Sequence, residues 1–265
     1  MSAALEEIRK ILEKYESVSL NEMDTVPLTG RTDTKYIFHR HMLNEVLSLV
    51  ATDYRSLVVG YSRIFPYHTL YFDTPDDRMY LDHHNGKLNR CKIRFREYLP
   101  AGLTYLEIKY KTNTYRTIKK RMETEHIEHE LSSRSASFIR ENAPFDSGEL
   151  TPKVTTKFHR ITLVNNLTEE RVTIDFDLSF EYGSLNTGFL NLAVAEVKQN
   201  SLNGKSVFSG IMHHLKIYPE RLSKYCIGRV LSDTSVKSNN FKSIIYILNK
   251  LNNDSIYDNT GCRRA

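Results

Sequence analysis

The segment Cys91-Lys-Ile-Arg-Phe-Arg-Glu-Tyr98 alternates charged and apolar residues along most of its length. Because successive side chains of a β-strand point to opposite sides, Lys92, Arg94 and Arg96 are predicted to share one face of a strand. The apolar residues between these cations take the other face. The pattern therefore predicts a β-sheet with one strongly basic face and one face that belongs to a hydrophobic core.

The same alternation recurs in other segments that are predicted to be strands. In Leu106-Glu-Ile-Lys-Tyr-Lys111, the charged residues Glu107, Lys109 and Lys111 lie on one face. Further aligned groups are Arg31, Asp33 and Lys35, then Asp175 and Asp177, then Glu196 and Lys198, with Arg160 beside Phe158. A charged face on a single strand is ordinarily a solvated face. The arginines and lysines of the first two segments together form a positive array that is too concentrated for that interpretation.

The predicted secondary structure mixes helices with many short strands and indicates one α+β domain over residues 1–265. We expect an amphipathic helix at 3–16, a core at about 25–230, and a helix with a polar tail at 241–265. A polar segment at 123–142 is also expected to be helical. If helices cover the apolar faces of the strands, the charged faces point into a closed sheet. Because enclosed charges need opposite charges, such an interior predicts an anionic ligand together with a divalent cation.

Composition argues against several other classes of protein. The hydrophobic content of 40% and charged content of 26% are typical of a globular domain, and the net charge is +5. Only 11 glycines are present, without a Gly-rich phosphate loop, which argues against P-loop and Rossmann sites. Three widely separated cysteines predict a reducing compartment. No signal-peptide core and no membrane-spanning stretch is apparent in the sequence, so a cytoplasmic protein is expected.

Nine short motifs follow one another along about residues 25–230. They are Arg31-x-x-x-Lys35-Tyr36, Tyr71-Phe-Asp-Thr74, Ile93-Arg-Phe-Arg96, Glu107-Ile-Lys109, Lys119-Lys-Arg121, Arg160, Arg171-x-Thr-x-Asp175, Glu196-Val-Lys198 and Arg221-Leu-Ser-Lys-Tyr225. The set resembles the VTC domain, a family of the triphosphate tunnel metalloenzymes. The resemblance implies an antiparallel eight-stranded β-barrel, the triphosphate tunnel fold, with flanking helices. It also implies a polyphosphate polymerase that transfers the γ-phosphoryl group of ATP onto a growing inorganic polyphosphate chain.

The resemblance further implies roles for individual residues. The catalytic residues would be Arg94, Arg96, Lys109, Arg160 and Lys35. The substrate-binding residues would be Arg31, Lys111, Lys119, Lys120, Ser223, Lys224 and Arg221. Glu196 would hold the metal, Mn²⁺ or Mg²⁺. Lys119 and Lys120 are alternatives for one phosphate-binding lysine. Phe158 stands where the family often has Tyr, and Arg221 stands where it has Lys, which keeps the charge but changes the geometry.

Two other functions fit the same tunnel, namely hydrolysis of inorganic or nucleoside triphosphates and non-catalytic polyphosphate sensing. Tunnel hydrolases and cyclases carry Glu-x-Glu-x-Lys near the N-terminus, whereas this chain has Arg31-Thr-Asp-Thr-Lys35, which favours long phosphate chains. Glu196 argues against a pure sensor, because anion binding does not need a carboxylate. A nucleic-acid binder is least favoured, since it would present an exposed basic patch. The expected partners are ATP and inorganic polyphosphate, and a membrane-protein partner with a peripheral position at a membrane stays open.

Overall fold

The computed structural model describes residues 3–24, 31–114, 116–200 and 206–253. Within these ranges, Asp24, Arg31 and Pro100 are described by their backbone alone. Ten strands form one sheet. They are β1 (Ser17–Val18), β2 (Arg31–His39), β3 (Tyr54–Leu57), β4 (Phe65–Asp73), β5 (Arg90–Tyr98), β6 (Leu103–Lys111), β7 (Thr117–Thr124), β8 (Thr151–Asn165), β9 (Glu170–Tyr182) and β10 (Leu185–Asn200).

The strand order corrects the prediction of a closed eight-stranded barrel. An antiparallel path runs β2-β10-β9-β8-β4-β5-β6-β7, and within the described ranges no pairing joins β2 to β7, so the sheet is open. The end of β8 extends beyond β4 and pairs with β3, which in turn pairs with β1. β1 and β3 are too short to give a period of two in the sequence. The antiparallel α+β arrangement with flanking helices is confirmed.

The helices connect and cover these strands. They are α1 (Ala3–Leu12), α2 (Leu20–Asp24), α3 (Leu43–Val50), α4 (Arg78–His84), α5 (Ser133–Asn142), α6 (Val207–His214), α7 (Lys224–Ser232) and α8 (Lys242–Asn253), with 3₁₀ turns at Arg40–Met42, Leu99–Ala101, Ser147–Glu149 and Asn239–Phe241. None of the helices in the described ranges has the length and apolar character that a membrane span requires.

Two predicted helices have different bounds in the structure. The helix expected at 3–16 ends at Leu12. Of the helix expected at 123–142, only α5 forms, beginning after Ser132, whose side chain accepts a hydrogen bond from the Ser135 backbone N–H. The start of that segment belongs to β7, which pairs with β6 along its whole length. β7 is polar because it is an edge strand with mostly exposed residues, and a polar edge strand lacks the apolar alternation that identifies strands.

Helices cover the apolar side of the sheet. α1, α3 and α6 pack in one buried cluster with β9 and β10, through residues that include Phe208 and Ile174. α5 packs over β5 and β6, where Ile139 belongs to one cluster with Ile93. Burial of each such side chain stabilises the fold by about 1.5–3 kcal/mol. Because side chains alternate, this packing turns the charged residues of the same strands to the opposite side.

The charged side of the sheet is its concave side. Lys109 on β6 lies within electrostatic range of Asp33 on β2 and Glu196 on β10. β2 and β10 are far from β6 in the strand order. The sheet is therefore curved, so that the charged face of β6 is opposite the charged faces of β2 and β10.

Helix α7 packs against the concave side of the sheet. Tyr225 and Ile227 share a buried cluster with Val154 and Phe180. A Cβ atom added at Gly228 would lie 2.8 Å from Phe180 Cδ1 and 2.9 Å from Val154 Cγ2, so only glycine allows this close approach. The helix therefore presents its N-terminal residues to the charged part of the concave face.

Candidate functional site

Seven strands and α7 contribute charged side chains to one region, which we call the charged cup, and an eighth strand contributes two tyrosines. Its members are Asp33 and Lys35 of β2, Lys92, Arg94 and Arg96 of β5, Glu107 and Lys109 of β6, Lys119 and Arg121 of β7, Arg160 of β8, Asp175 of β9, Glu196 and Lys198 of β10, and Lys224 of α7, with Tyr67 and Tyr71 from β4. Cations outnumber carboxylates in this set. The cup therefore has a positive field that favours an anion.

The arginine of the middle of β5 is fixed by three contacts. Arg94 donates from Nε to Glu107 Oε2 at 2.7 Å, and its Nη2 forms an ion pair with the same oxygen at 2.6 Å. It also donates from Nη1 to the Tyr71 hydroxyl at 3.4 Å. Burial would raise the pKa of Glu107, but the charges of Arg94 and Arg96 outweigh burial and lower that pKa to about 2. Glu107 is thus a permanent anion that orients Arg94.

A second arginine is fixed on the neighbouring part of the cup. Arg160 donates from Nε to Asp175 Oδ1 at 2.6 Å and from Nη2 to Oδ2 at 2.7 Å. Lys224 of α7 donates to the same carboxylate. Burial opposes ionisation of Asp175, but Arg160 and Lys224 lower its pKa below the usual range. The guanidinium of Arg160 also lies 5.0 Å from the ring centre of Tyr67 and 5.2 Å from that of Phe158.

Glu196, the predicted metal ligand, lies between two lysines. Lys35 donates to Oε1 at 2.5 Å and Lys198 donates to Oε2 at 2.6 Å. Burial would raise the pKa of Glu196, but Lys198 and Lys35 lower it. The carboxylate is therefore ionised, which is the form that binds a metal.

The donor set fits a metal that arrives with its substrate. No cluster of three or more His, Cys, Asp or Glu side chains occurs among the residues described. Mg²⁺ is commonly held by one or two carboxylates together with substrate phosphates and water. Glu196 can supply such a carboxylate once phosphate oxygens attract Lys35 or Lys198 away from it.

Three lysines form a row across adjacent strands. Lys109 pairs in register with Lys92 of β5 and with Lys119 of β7. Lys109 is exposed at the open side of the cup and, in the described part of the chain, makes no hydrogen bond or ion pair. Desolvation of its ammonium group beside the neighbouring strands, followed by the charges of Lys92 and Lys119, lowers the pKa of Lys109 to about 8. Like charges directly opposite each other destabilise a sheet, so the row favours the binding of an anion.

The structure gathers most of the predicted site residues and leaves some apart. Lys111 lies opposite Arg90 at the end of β6. Ser223 is the N-cap of α7 and accepts a hydrogen bond from Lys92 Nζ at 3.0 Å. Arg221 is exposed just before α7. Arg31 pairs through its backbone with Asn200, and its side chain lies outside the described part of the structure.

Sequence reasoning left six charged members of the cup out of the predicted site, among them Asp33 and Arg121. The other four are Lys92, Glu107, Asp175 and Lys198. Strand alternation had placed each of them on a charged face, so the signal was present. Their contacts with arginine, lysine or Ser223 depend on register between strands and on α7, which alternation does not give.

The two alternative lysines of β7 lie on opposite faces. Lys119 pairs with Lys109 and faces the cup, whereas Lys120 pairs with Ile108 and is exposed on the other side. We expect Lys119→Gln to weaken binding of inorganic triphosphate roughly tenfold, because a hydrogen bond to a charged group contributes about 1.5–3 kcal/mol. Lys120→Gln is the matched control and should leave the Kd unchanged in isothermal titration calorimetry. Equal effects of the two substitutions would contradict the assignment of Lys119 to the site.

The motif resemblance is borne out by a comparison with protein families. The family model described as the VTC domain matches residues 30–232, which is most of the chain. The chain belongs to the VTC-domain family. No curated protein sequence matches this VTC domain.

Several solved structures are similar to this VTC domain. A candidate adenylyl cyclase from Hippeastrum, described as having a dominant triphosphatase activity, has 15% identity and a TM-score of 0.46, with 76% of this chain and 96% of that chain covered. A candidate adenylate cyclase from Bacillus halodurans has 13% identity and a TM-score of 0.43, with coverage of 74% and 96%. The PH1012 protein from Pyrococcus horikoshii has 12% identity and a TM-score of 0.43, with coverage of 74% and 98%.

Proposed function

We propose that this VTC domain binds ATP and inorganic polyphosphate in the charged cup and transfers the γ-phosphoryl group of ATP onto the polyphosphate chain. The row formed by Lys92, Lys109 and Lys119 carries the proposal, because these ammonium groups adjoin the arginines and Lys109 has no carboxylate partner in the described residues. A chain of phosphate groups would place negative charge beside all three ammonium groups of the row. A ligand with one negative charge would not.

The fixed arginines suit phosphoryl transfer, which depends mainly on positioning and on stabilising charge. Arg94 and Arg160 are each oriented by a carboxylate, so their planar groups are organised before the substrate binds. In the proposed step, an ionised oxygen of the terminal phosphate attacks the γ-phosphorus of ATP. The bond between that phosphorus and the bridging oxygen of the β-phosphate breaks, and ADP leaves with the electron pair.

The carboxylates of the cup favour transfer over hydrolysis. Hydrolysis would require a group that positions a water molecule and accepts its proton. Glu107, Asp175 and Glu196 are poor bases, because neighbouring cations hold the pKa of each below its usual range. The terminal phosphate of a polyphosphate chain is already ionised and needs no base.

A divalent ion would complete this site. Glu196 would hold Mn²⁺ or Mg²⁺ together with phosphate oxygens, and the ion would offset negative charge that develops on the leaving group. Lys35 and Lys198 would then contact phosphate instead of Glu196. Arg96, Ser223 and the remaining cations of the cup would bind the rest of the chain.

The proposal is tested by incubating the protein with ATP and Mn²⁺, with and without a short polyphosphate primer. The products are separated on a gel stained for polyphosphate, and ADP is measured in parallel. A ladder formed in step with ADP, and lost in Glu196→Gln, would support the polymerase. Free phosphate without a ladder would favour the triphosphatase, and tight polyphosphate binding without turnover would favour a sensor.

The pKa of Lys109 predicts how binding depends on pH. Below about pH 8 the ammonium is charged and attracts phosphate, and as pH rises through that pKa the charge is lost. We therefore expect the affinity for inorganic triphosphate to fall between pH 7 and 9, by up to about tenfold per pH unit while one proton is coupled to binding. Lys109→Arg should flatten this dependence, because arginine keeps its charge. An unchanged pH profile in that variant would exclude Lys109 as the titrating group.

A further inference from the structure

The last residue of β4 joins three elements behind the charged cup. Asp73 is fully buried, and its carboxylate accepts hydrogen bonds from the backbone N–H groups of Met79 and Tyr80, both at 2.8 Å. α4 therefore receives its N-terminal cap from Asp73, since Asp77 at the cap position makes no such bond through its side chain. The hydroxyl of Tyr225 in α7 donates to the same carboxylate.

Tyr225 connects this buried carboxylate with the phosphate-binding side chains. It directly follows Ser223, the N-cap of α7, and Lys224, the first residue of α7, which hydrogen-bond to Lys92 and Asp175 of the cup. Its ring stacks on Tyr71, with ring centres 5.2 Å apart. The Tyr71 hydroxyl in turn accepts a hydrogen bond from Arg94. A shift of Tyr225 would therefore change the position of α7 relative to β5.

We propose that Asp73 is a positioning residue, which acts through Tyr225 to fix Ser223 and Lys224 relative to Arg94. Among the described residues, the Asp73 carboxylate hydrogen-bonds with Thr74, Met79, Tyr80 and Tyr225 and with no charged member of the cup, so it would act through other residues. Its carboxylate is anchored by the backbone of α4 and gives the Tyr225 hydroxyl a fixed acceptor. Burial raises the pKa of Tyr225 well above its usual value, so the hydroxyl keeps its proton and remains a donor.

Small displacements are expected to matter in this site. A misplacement of about 1 Å in groups that orient reactants can cost a hundredfold in rate. The charges of Lys224 and Arg94 would remain after such a displacement, so ground-state binding of a phosphate ligand would weaken much less than the rate of the chemical step. An interaction that matters mainly in the transition state changes kcat more than KM.

Two tyrosines behind the cup provide a matched pair of variants. Tyr225→Phe keeps the ring and its stacking but removes the hydroxyl, and Asp73 keeps its bonds from the backbone of α4. Tyr80→Phe is the control. The Tyr80 hydroxyl donates to the Lys237 carbonyl, and its ring packs edge-on against Tyr225. Each variant loses one tyrosine hydroxyl, but only one loses the link to Asp73.

The inference rests on the proposed function for its kinetic readout. We expect Tyr225→Phe to lower kcat for polyphosphate synthesis about tenfold or more, with KM for ATP changed less than about threefold. Tyr80→Phe should keep kcat within about twofold of the native value. The fall in Tm should be comparable in the two variants, because each loses one hydrogen bond. If the two variants have the same kcat, the positioning role is wrong.

A binding measurement separates this inference from the proposed function. If the native protein forms no polyphosphate ladder, the proposed polymerase fails, and the Kd for inorganic triphosphate becomes the readout. A Kd raised about two- to threefold in Tyr225→Phe, with Tyr80→Phe unchanged, would still support positioning of Ser223 and Lys224 by Asp73. Equal Kd values in the two variants would overturn it.

Discussion

Replacing Asp175 with alanine is expected to lower the free energy of unfolding by about 3–5 kcal/mol, because the substitution leaves buried cations without their anion. Asp175 accepts both hydrogen bonds of the Arg160 fork and also a bond from Lys224. The side chains of Arg160 and Lys224 are only 15% and 14% exposed, so water cannot fully replace the carboxylate. Urea denaturation of the native protein and the variant at pH 7 measures the difference.

A more exposed ion pair on the same strand provides the control. Glu181 on β9 accepts a hydrogen bond from Lys157 at 2.7 Å, with side-chain exposures of 31% and 41%. Ion pairs near the surface contribute about 0–1 kcal/mol, so Glu181→Ala should have a smaller effect than Asp175→Ala. A similar loss in both variants would mean that enclosure of Asp175 in the cup does not matter.

Two conditions should reduce the effect of Asp175→Ala. Inorganic triphosphate would supply negative charge to Arg160 and Lys224, so its addition should stabilise the variant more than the native protein. Low pH should also reduce the difference in the free energy of unfolding between the native protein and the variant. The pKa of Asp175 is depressed in the folded state, so its contribution is full above the unfolded pKa of about 3.9 and is lost as pH falls further. A difference that persists unchanged with triphosphate would argue against a phosphate subsite at Arg160.

The basic face of β5 could be predicted because alternation is a local property. Lys92, Arg94 and Arg96 project from one side whatever the neighbouring strands are. The choice between Lys119 and Lys120 could not be made in the same way, because a shift of one residue in register turns every side chain of a strand to the other face. That register depends on the turn between β6 and β7, for which the sequence gives no clear geometry.

Contacts between distant segments explain the other differences. Pro75 is a residue that favours the first turn of a helix, but α4 starts at Arg78, after Asp77 adopts a left-handed backbone conformation with φ of 58°. The actual cap comes from Asp73, and the same carboxylate binds Tyr225, 152 residues further along the chain. No periodic pattern or capping motif predicts a carboxylate that is shared by two helices.

The two strands beyond the expected eight have a similar origin. The resemblance to the VTC domain predicts eight strands, and the path from β2 to β7 contains them. β8 is longer than its neighbour β4, so its free length pairs with β3. The length of a strand depends on how many of its residues pair with a neighbouring strand. This is a property of the assembled sheet rather than of a single segment.

The second large effect is expected from Arg94→Lys, which should lower kcat/KM for polyphosphate synthesis by at least about a hundredfold. Removing one donor that is aimed at developing charge costs about a hundredfold to a thousandfold in rate. Lysine keeps the positive charge but lacks the planar fork with which Arg94 contacts Glu107 and Tyr71 together. Initial rates of ADP release with a polyphosphate primer, measured over a range of ATP concentrations, give kcat/KM. Lys120→Arg, on the outer face of the sheet, is the control and should be neutral.

The role of Glu107 decides whether geometry or charge alone makes Arg94 effective. If Glu107 acts by orienting Arg94, Glu107→Gln should reduce kcat/KM strongly in the native background and little in the Arg94→Lys background. Such non-additivity is expected only for residues that act as a unit. If each substitution instead changes kcat/KM less than about tenfold, and the two effects add, Arg94 would act as a simple positive charge. The cup would then promote the reaction through its positive charge, without a fixed guanidinium group that is aimed at the transition state.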